Sequence, residues 1–438
     1  MSRGPTLAVV ALALATTVGA GVFHAYSGPH HDAVYTRPVS PAPVGVFRDG
    51  GVPRRDPAIE QALARELPEF VATLVAGGTS EAARAQRFAE LREHRAFAAH
   101  GPALTGAWRA MIEALDDWWR VSSSSNAGDA ANDLRARIDV VSDQMAAAQL
   151  GYYIDPEIVS DHPRRRSGIF TYRIDEVAFV RTNADRVRVL TVRQLGPRSA
   201  GAAMLGLTTE ELSDPVVLLD SIETKVETQI VPILAGRLFP LGDDDWAYRP
   251  RGRALAEAAA RGIRRELLAA LYDDVQSSEL ATAKCRKLLV DSVRRHEAQH
   301  RLDQDRGLAY PEALAKRIGE KKQAPFAVRA RFELSAYLSQ IASDTWTPQL
   351  TIANLARHGF RRGQRTEEAF VAVMVIEGMA RRLGVTPTSP LVRRGDIDRD
   401  QLAMLLTALT TRTTVELRSA AAGLWADLFG APLVRLYD

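Results

Sequence analysis

Between residues 278 and 305 the chain runs without a proline or glycine, and Gly307 and Pro311 follow directly, so the sequence predicts one long helix with a defined end. That helix carries His296-Glu297-Ala298-Gln299-His300. Four helical residues advance the chain by about 6 Å and turn it through roughly 400°, so both imidazoles leave one face and can grip a single metal ion. Two imidazoles one turn apart suit zinc, and Glu297 then stands beside the remaining coordination position, where it can take a proton from water. Leu289, Val293, His296, His300 and Asp303 continue the same face, while Arg294, Arg295 and Arg301 lie largely away from it. The competing use of these residues is a helix whose histidines cap a polar patch.

A zinc site needs at least three protein ligands. The Gly and third His that follow the second His by three and six positions in metzincins are replaced here by Asp303 and Arg306, and the inverted order HxxEH is absent. Downstream, a second predicted helix begins after Pro325 and places Glu333, Ala336, Tyr337 and Gln340 on one face. Ala330 and Ala336 are small enough to let that helix approach the first, with Leu334, Leu338 and Ile341 packing on the neighbouring side. HExxH followed by a Glu-bearing helix resembles the gluzincin zinc metallopeptidases, over the segment from the first of these helices to the second.

The resemblance implies zinc held by His296, His300 and Glu333, Glu297 as the catalytic base, and a peptide or protein substrate. It also implies a zincin-like core in which a small antiparallel sheet precedes the helices and lends an edge strand to the substrate. Glu377 is the rival third ligand; it ends the apolar run 370–376, where a carboxylate needs a partner, and serves as ligand, as support to the site or as a salt-bridged core residue. The thermolysin-like branch has an Asp four residues after the ligand Glu, and this chain has Tyr337 there. Asp303, one turn after His300, either holds an imidazole N–H in its place or is a solvated charge. Tyr310, Tyr337 and His358 are candidates for stabilising an oxyanion. Glu297 and His300 also form the ExxH element of di-iron bundles, but a second such element does not occur in the sequence.

With 438 residues, 46% of them hydrophobic and 25% charged, the chain can bury a large core in two domains or one elaborate one. The net charge of +3 comes from arginines spread along helices without interleaved aromatics, so nucleic-acid binding is not indicated. The single cysteine, Cys285, cannot form an internal disulfide and reads as a structural thiol. At the amino terminus Arg3 precedes an uncharged apolar run over 6–23 with small residues at Val18-Gly19-Ala20. Residues 1–25 therefore read as a signal peptide or, at a length near the shortest that spans a bilayer, as a membrane anchor. Either places the protein outside the cytoplasm, secreted or tethered.

Residues 26–57 are rich in proline and glycine and read as a linker, 58–150 as a helical domain, and 151–438 as the zincin-like metallopeptidase domain. Strand signals are confined to 151–154, 168–180 and 186–193, with a turn at 183–185. Helical signals occupy 209–234, 253–274, 278–305, 327–343, 349–357, 367–383 and 415–428. The Trp118-Trp119 pair either lines a cleft or packs in a core. The expected class is α+β, predominantly helical, and the expected function is that of an exported zinc metallopeptidase. The alternative is a non-catalytic envelope protein with a structural or decayed metal site.

Overall fold

Asp56 opens the first helix as its N-cap: its carboxylate accepts from the backbone of Ala58 and Ile59, and Pro57 takes the first helical position, where a missing N–H costs nothing. That helix belongs to a computed structural model describing residues 53–76, 80–121, 127–159, 166–183, 185–196, 205–208, 214–239, 245–271, 278–318, 325–343, 347–361, 366–393 and 396–437. The expected signal or anchor segment and most of the expected linker lie outside the described residues. The linker's last residues are described, and they are packed. Arg54 exchanges backbone hydrogen bonds with Gln149 and Gly151, and Arg55 pairs with Asp175 at 3.2 Å. Among the described residues no helix is long and apolar enough to cross a membrane.

The chain is predominantly helical with a small sheet, and its described residues form two compact units. The first takes in 53–178 and 190–196; the second takes in 179–189 and everything from 205 on. Helical residues of the first unit run through α1 (Pro57–Gln61), a π-helical turn (Ala62–Glu66), α2 (Leu67–Ala76), α3 (Glu81–Arg92), α4 (Arg95–Ala98), α5 (Pro102–Val121) and α6 (Ala127–Ala147). Their apolar faces close on Phe97 and Trp108, whose rings stack at 3.8 Å, and the Trp108 indole N–H reaches the Leu91 carbonyl at 2.6 Å. Trp118 is buried in the same core and Trp119 packs against it, so the pair is used in packing.

Strands β1 (Tyr152–Val159), β2 (Arg166–Arg181), β3 (Arg186–Leu195), β4 (Gly206–Leu207) and β5 (Val216–Leu218) pair in the order β1-β2-β3-β5-β4. The pairs β1–β2 and β4–β5 are antiparallel. Thr182 and Asp185 close the β2–β3 turn, with the Asp185 N–H donating to Thr182 Oγ1 at 2.7 Å. β2 is 16 residues long, longer than its sequence signal, and its far end enters the second unit.

In the second unit, α7 (Leu219–Lys225), a π-helical turn (Val226–Ile230) and α8 (Val231–Leu234) follow β5. Of the helix expected over 209–234, residues 209–213 lie outside the described residues and 216–218 form a strand instead: Val216 and Val217 are β-branched and buried, and pairing with β4 overrides the helical pattern. Then come α9 (Asp245–Tyr248), α10 (Pro250–Ala270), α11 (Ser278–Arg306), α12 (Glu312–Ile318), α13 (Pro325–Ala342), α14 (Pro348–Phe360) and α15 (Glu367–Arg382). A short hairpin, β6 (Val392–Arg393) with β7 (Asp396–Ile397), precedes α16 (Arg399–Thr410) and α17 (Thr414–Phe429). Helices α9, α12 and α16 add to those expected. One core of Leu, Ile, Val and Ala from α10 to α17 encloses α13, which packs against α11, α15 and α17.

Candidate metal centre

Helix α11 ends as the sequence predicts. Gly307 adopts φ 65° and the Leu308 N–H returns to the Asp303 carbonyl, the six-to-one bond of a Schellman cap. Its middle is buried on every side from Leu289 to His300, including the charged members of the motif. Helix α13 lies beside it because Ala330 and Ala336 present almost no side chain, and both are fully buried. Gln340 donates to Ser292 Oγ at 3.0 Å. One turn along, that register sets Glu333 and Tyr337 against His296.

The two rings and the carboxylate converge. His296 Nε2 and His300 Nε2 are 3.0 Å apart, and Glu333 places Oε2 3.6 Å from the first and Oε1 3.5 Å from the second. For tetrahedral zinc with bonds of about 2.0–2.1 Å, neighbouring ligand atoms should be about 3.3 Å apart. Edges of 3.0 to 3.6 Å therefore fit such an ion, and the donor set of two imidazoles and a carboxylate suits zinc among first-row metals. His296, His300 and Glu333 are thus a group able to hold a metal ion. Among the described residues it contributes three donors, not the four of a closed structural site.

The electrostatics favour a cation. Burial works against a charged His300, yet the Glu333 carboxylate, with help from Glu297 and Asp303, outweighs it and lifts the ring to about 9. Burial would raise Glu333, but the two imidazoles hold it far below the usual carboxylate range. A site that draws a proton this strongly also draws a divalent ion.

Glu297 stands apart from the ligand triangle. Its carboxylate is buried, at 5% exposure for the residue, and Thr208 Oγ1 donates to Oε2 at 2.7 Å. Burial pushes its pKa up; His296, His300 and the Thr208 hydroxyl oppose the shift, and Glu333 adds to it. On its other side is Gly206 in β4, where a Cβ would lie 2.7 Å from Glu297 Cγ and Cδ. Only glycine lets the strand come this close. Neither Gly206 nor Thr208 was marked by the sequence, since both are some 90 positions from the motif and carry no spacing signal; Thr208 is separated from Glu297 by 89.

Other candidates separate. Glu377 accepts from Arg317 at 2.6 Å and from Arg381 at 2.8 Å, which makes it a salt-bridged residue rather than part of the triangle. Asp303 is fully buried, not solvated; it accepts from Gln299 at 2.7 Å and its charge supports His300. Tyr337 packs edge-on against His296, with ring centroids 4.7 Å apart, where the thermolysin-like branch has a carboxylate. Burial, then Glu333, Glu368 and Glu297, hold its phenol well above the ordinary value, so it remains a proton donor. Tyr310 sits by the Arg331 guanidinium, 6.0 Å from the ring centroid, and its hydroxyl is buried. His358 lies in the field of Glu333 from α14. Cys285 is buried in α11 and burial pushes its thiol up to about 11, as befits a structural residue.

Arg295, immediately before His296, reaches across the unit to the Leu436 carbonyl, and Tyr437 exchanges backbone hydrogen bonds of 2.7 Å with Arg181. No protein-family model, curated protein or solved structure matches this chain.

Proposed function

We propose that this chain is a zinc-dependent metallopeptidase of gluzincin type with a zincin-like core, acting on peptide or protein substrates outside the cytoplasm. The observation that carries the reading is the division of labour on α11. His296 and His300 join Glu333 in a three-donor group, while Glu297 lies outside that group and accepts from Thr208. A structural site has no use for a buried carboxylate held beside the ligands but outside their group. The edge position of β4, next to Glu297, supports a place where an extended peptide adds a strand. The apolar run at 6–23 supports export, with the protein either released or tethered by that segment.

Zinc held by His296, His300 and Glu333 would acidify water and polarise the scissile carbonyl. Glu297 takes the proton of the attacking water and returns it to the leaving amine; its raised pKa makes it a better base than an exposed carboxylate. Tyr337, kept protonated, offers its hydroxyl to the developing oxyanion.

The test is Glu297→Gln. It should keep zinc content and melting temperature, while hydrolysis of a broad peptide mixture falls by roughly a hundredfold to ten-thousandfold. A wild type that cleaves nothing in that mixture, or a variant as active as wild type, would remove the enzyme reading.

A further inference from the structure

His296 meets the metal group through Nε2, which lies 3.0 Å from His300 Nε2 and 3.6 Å from Glu333 Oε2. An ion bound there obliges the single proton of the ring to sit on Nδ1, as a donor. Nδ1 is buried away from solvent and has no hydrogen-bond partner among the described residues; the residue as a whole is 8% exposed. Histidines that bind metals almost always give this second N–H to a carboxylate, a carbonyl or a water, which fixes the ring and raises its basicity. Here Tyr337 packs against the ring, with centroids 4.7 Å apart and planes at 70°. It stands one helical turn after Glu333, on the face that α13 turns to the two histidines, and its hydroxyl makes no bond to Nδ1. Gln340, the next residue along that face, commits its amide N–H to Ser292 Oγ at 3.0 Å.

In the metal-free ring the proton can occupy Nε2 instead and face the Glu333 carboxylate. Loading zinc therefore moves a proton from a nitrogen beside an acceptor to a buried nitrogen without one, and a buried donor left unpaired is costly. That cost is subtracted from the affinity for the ion. We propose that Tyr337, by filling the place beside His296 with an aromatic ring, sets zinc affinity about tenfold to a hundredfold below that of a site whose imidazole has an acceptor, so that occupancy follows the free zinc around the protein. The ring thus regulates metal loading, a role separate from that of its hydroxyl at the oxyanion. This rests on the zinc-binding part of the peptidase reading and not on hydrolysis.

The test is the zinc affinity of the full chain, measured by competition with a chromophoric chelator at one pH, with a thermal melt of each metal-free protein to check folding. Tyr337→Asn and Tyr337→Gln offer Nδ1 an amide oxygen at two different reaches without adding charge, and at least one of them should tighten zinc by about tenfold to a hundredfold. Tyr337→Phe keeps the ring, loses only the hydroxyl, and should bind zinc as wild type does. Folded amide variants that bind no more tightly than wild type overturn the proposal. Weaker binding by Tyr337→Phe also overturns it, since the hydroxyl would then be supporting the imidazole. Proton NMR of the zinc-loaded wild type needs no variant: the His296 Nδ1–H should lack the downfield shift that an N–H···O bond confers, and a strongly downfield signal overturns the proposal as well. The two readings fail separately. Tightened zinc in an amide variant, together with no hydrolysis by wild type, sustains the role of Tyr337 and removes the peptidase; hydrolysis by wild type with unaltered zinc affinity in the amide variants does the reverse.

Discussion

Replacing Gly206 by alanine tests whether the approach of β4 positions Glu297. The new Cβ would start 2.7 Å from Glu297 Cγ and Cδ, whereas carbon atoms pack at about 3.5–4.0 Å, so a shift of about 1 Å is required. The strand backbone is tied to β5 by its antiparallel pairing, while the glutamate is the end of a side chain, so the side chain yields. The Thr208 bond, now 2.7 Å, would then stretch past the roughly 3.0 Å limit of a good O–H···O contact. A 1 Å misplacement of a reacting group costs about a hundredfold in rate, close to 2.7 kcal/mol in the barrier. The triangle of His296, His300 and Glu333 does not include Gly206, so zinc content should stay at the wild-type level. Turnover of a peptide mixture, metal analysis and a thermal melt together provide the assay. Wild-type turnover in Gly206→Ala would refute the positioning argument, and loss of zinc alongside turnover would mean that β4 supports the ligands instead.

Glu333→Ala should weaken zinc binding by more than the roughly 10- to 100-fold expected of an outer-shell residue, whereas Glu377→Ala should keep the metal and lose about 1–3 kcal/mol of stability as Arg317 and Arg381 lose their acceptor; competition with a chelator and denaturant melts measure both. In metal-free protein, His300 is raised from 6.5 to about 9, so its contribution to stability is complete below about 6.5 and is lost as the pH climbs through 9. Zinc requires both rings neutral, so its stabilising effect grows across that same interval. Melting temperatures with and without chelator should diverge between about pH 6.5 and 9, and parallel curves would argue against coordination by His300.

The parts of this architecture legible in the sequence are those that depend on local chemistry. A proline-free and glycine-free run closed by Gly307 fixes α11, and the placement of Ala330 and Ala336 around Glu333 anticipates a helix that can lie close to it. What escaped was decided by distant partners. Val216 to Leu218 is a strand because β4 offers it a ladder, and the pattern of 209–234 holds no trace of that neighbour. Gly206 and Thr208 acquire their meaning only from a glutamate some 90 positions away. Helix α16 was legible in principle: Asp398 caps it, accepting from the Gln401 N–H, and Leu402, Leu405, Leu406 and Leu409 trace a buried face. The packing of residues 53–57 is a different case, because prolines and glycines in that stretch mark a tether by composition while Arg54 finds its partners in Gln149 and Gly151, just past α6, and Asp56 in α1.

The reach of Arg295 to the Leu436 carbonyl has a consequence for the order of events in biosynthesis. The guanidinium next to the first metal-binding ring finds this acceptor 141 positions downstream, and Tyr437 closes the same segment onto Arg181. On a growing chain, α11 emerges long before that acceptor exists, so the arginine beside His296 stays without it until residue 436 has been added. The surroundings of His296 are therefore completed only after all three residues of the metal group have been made.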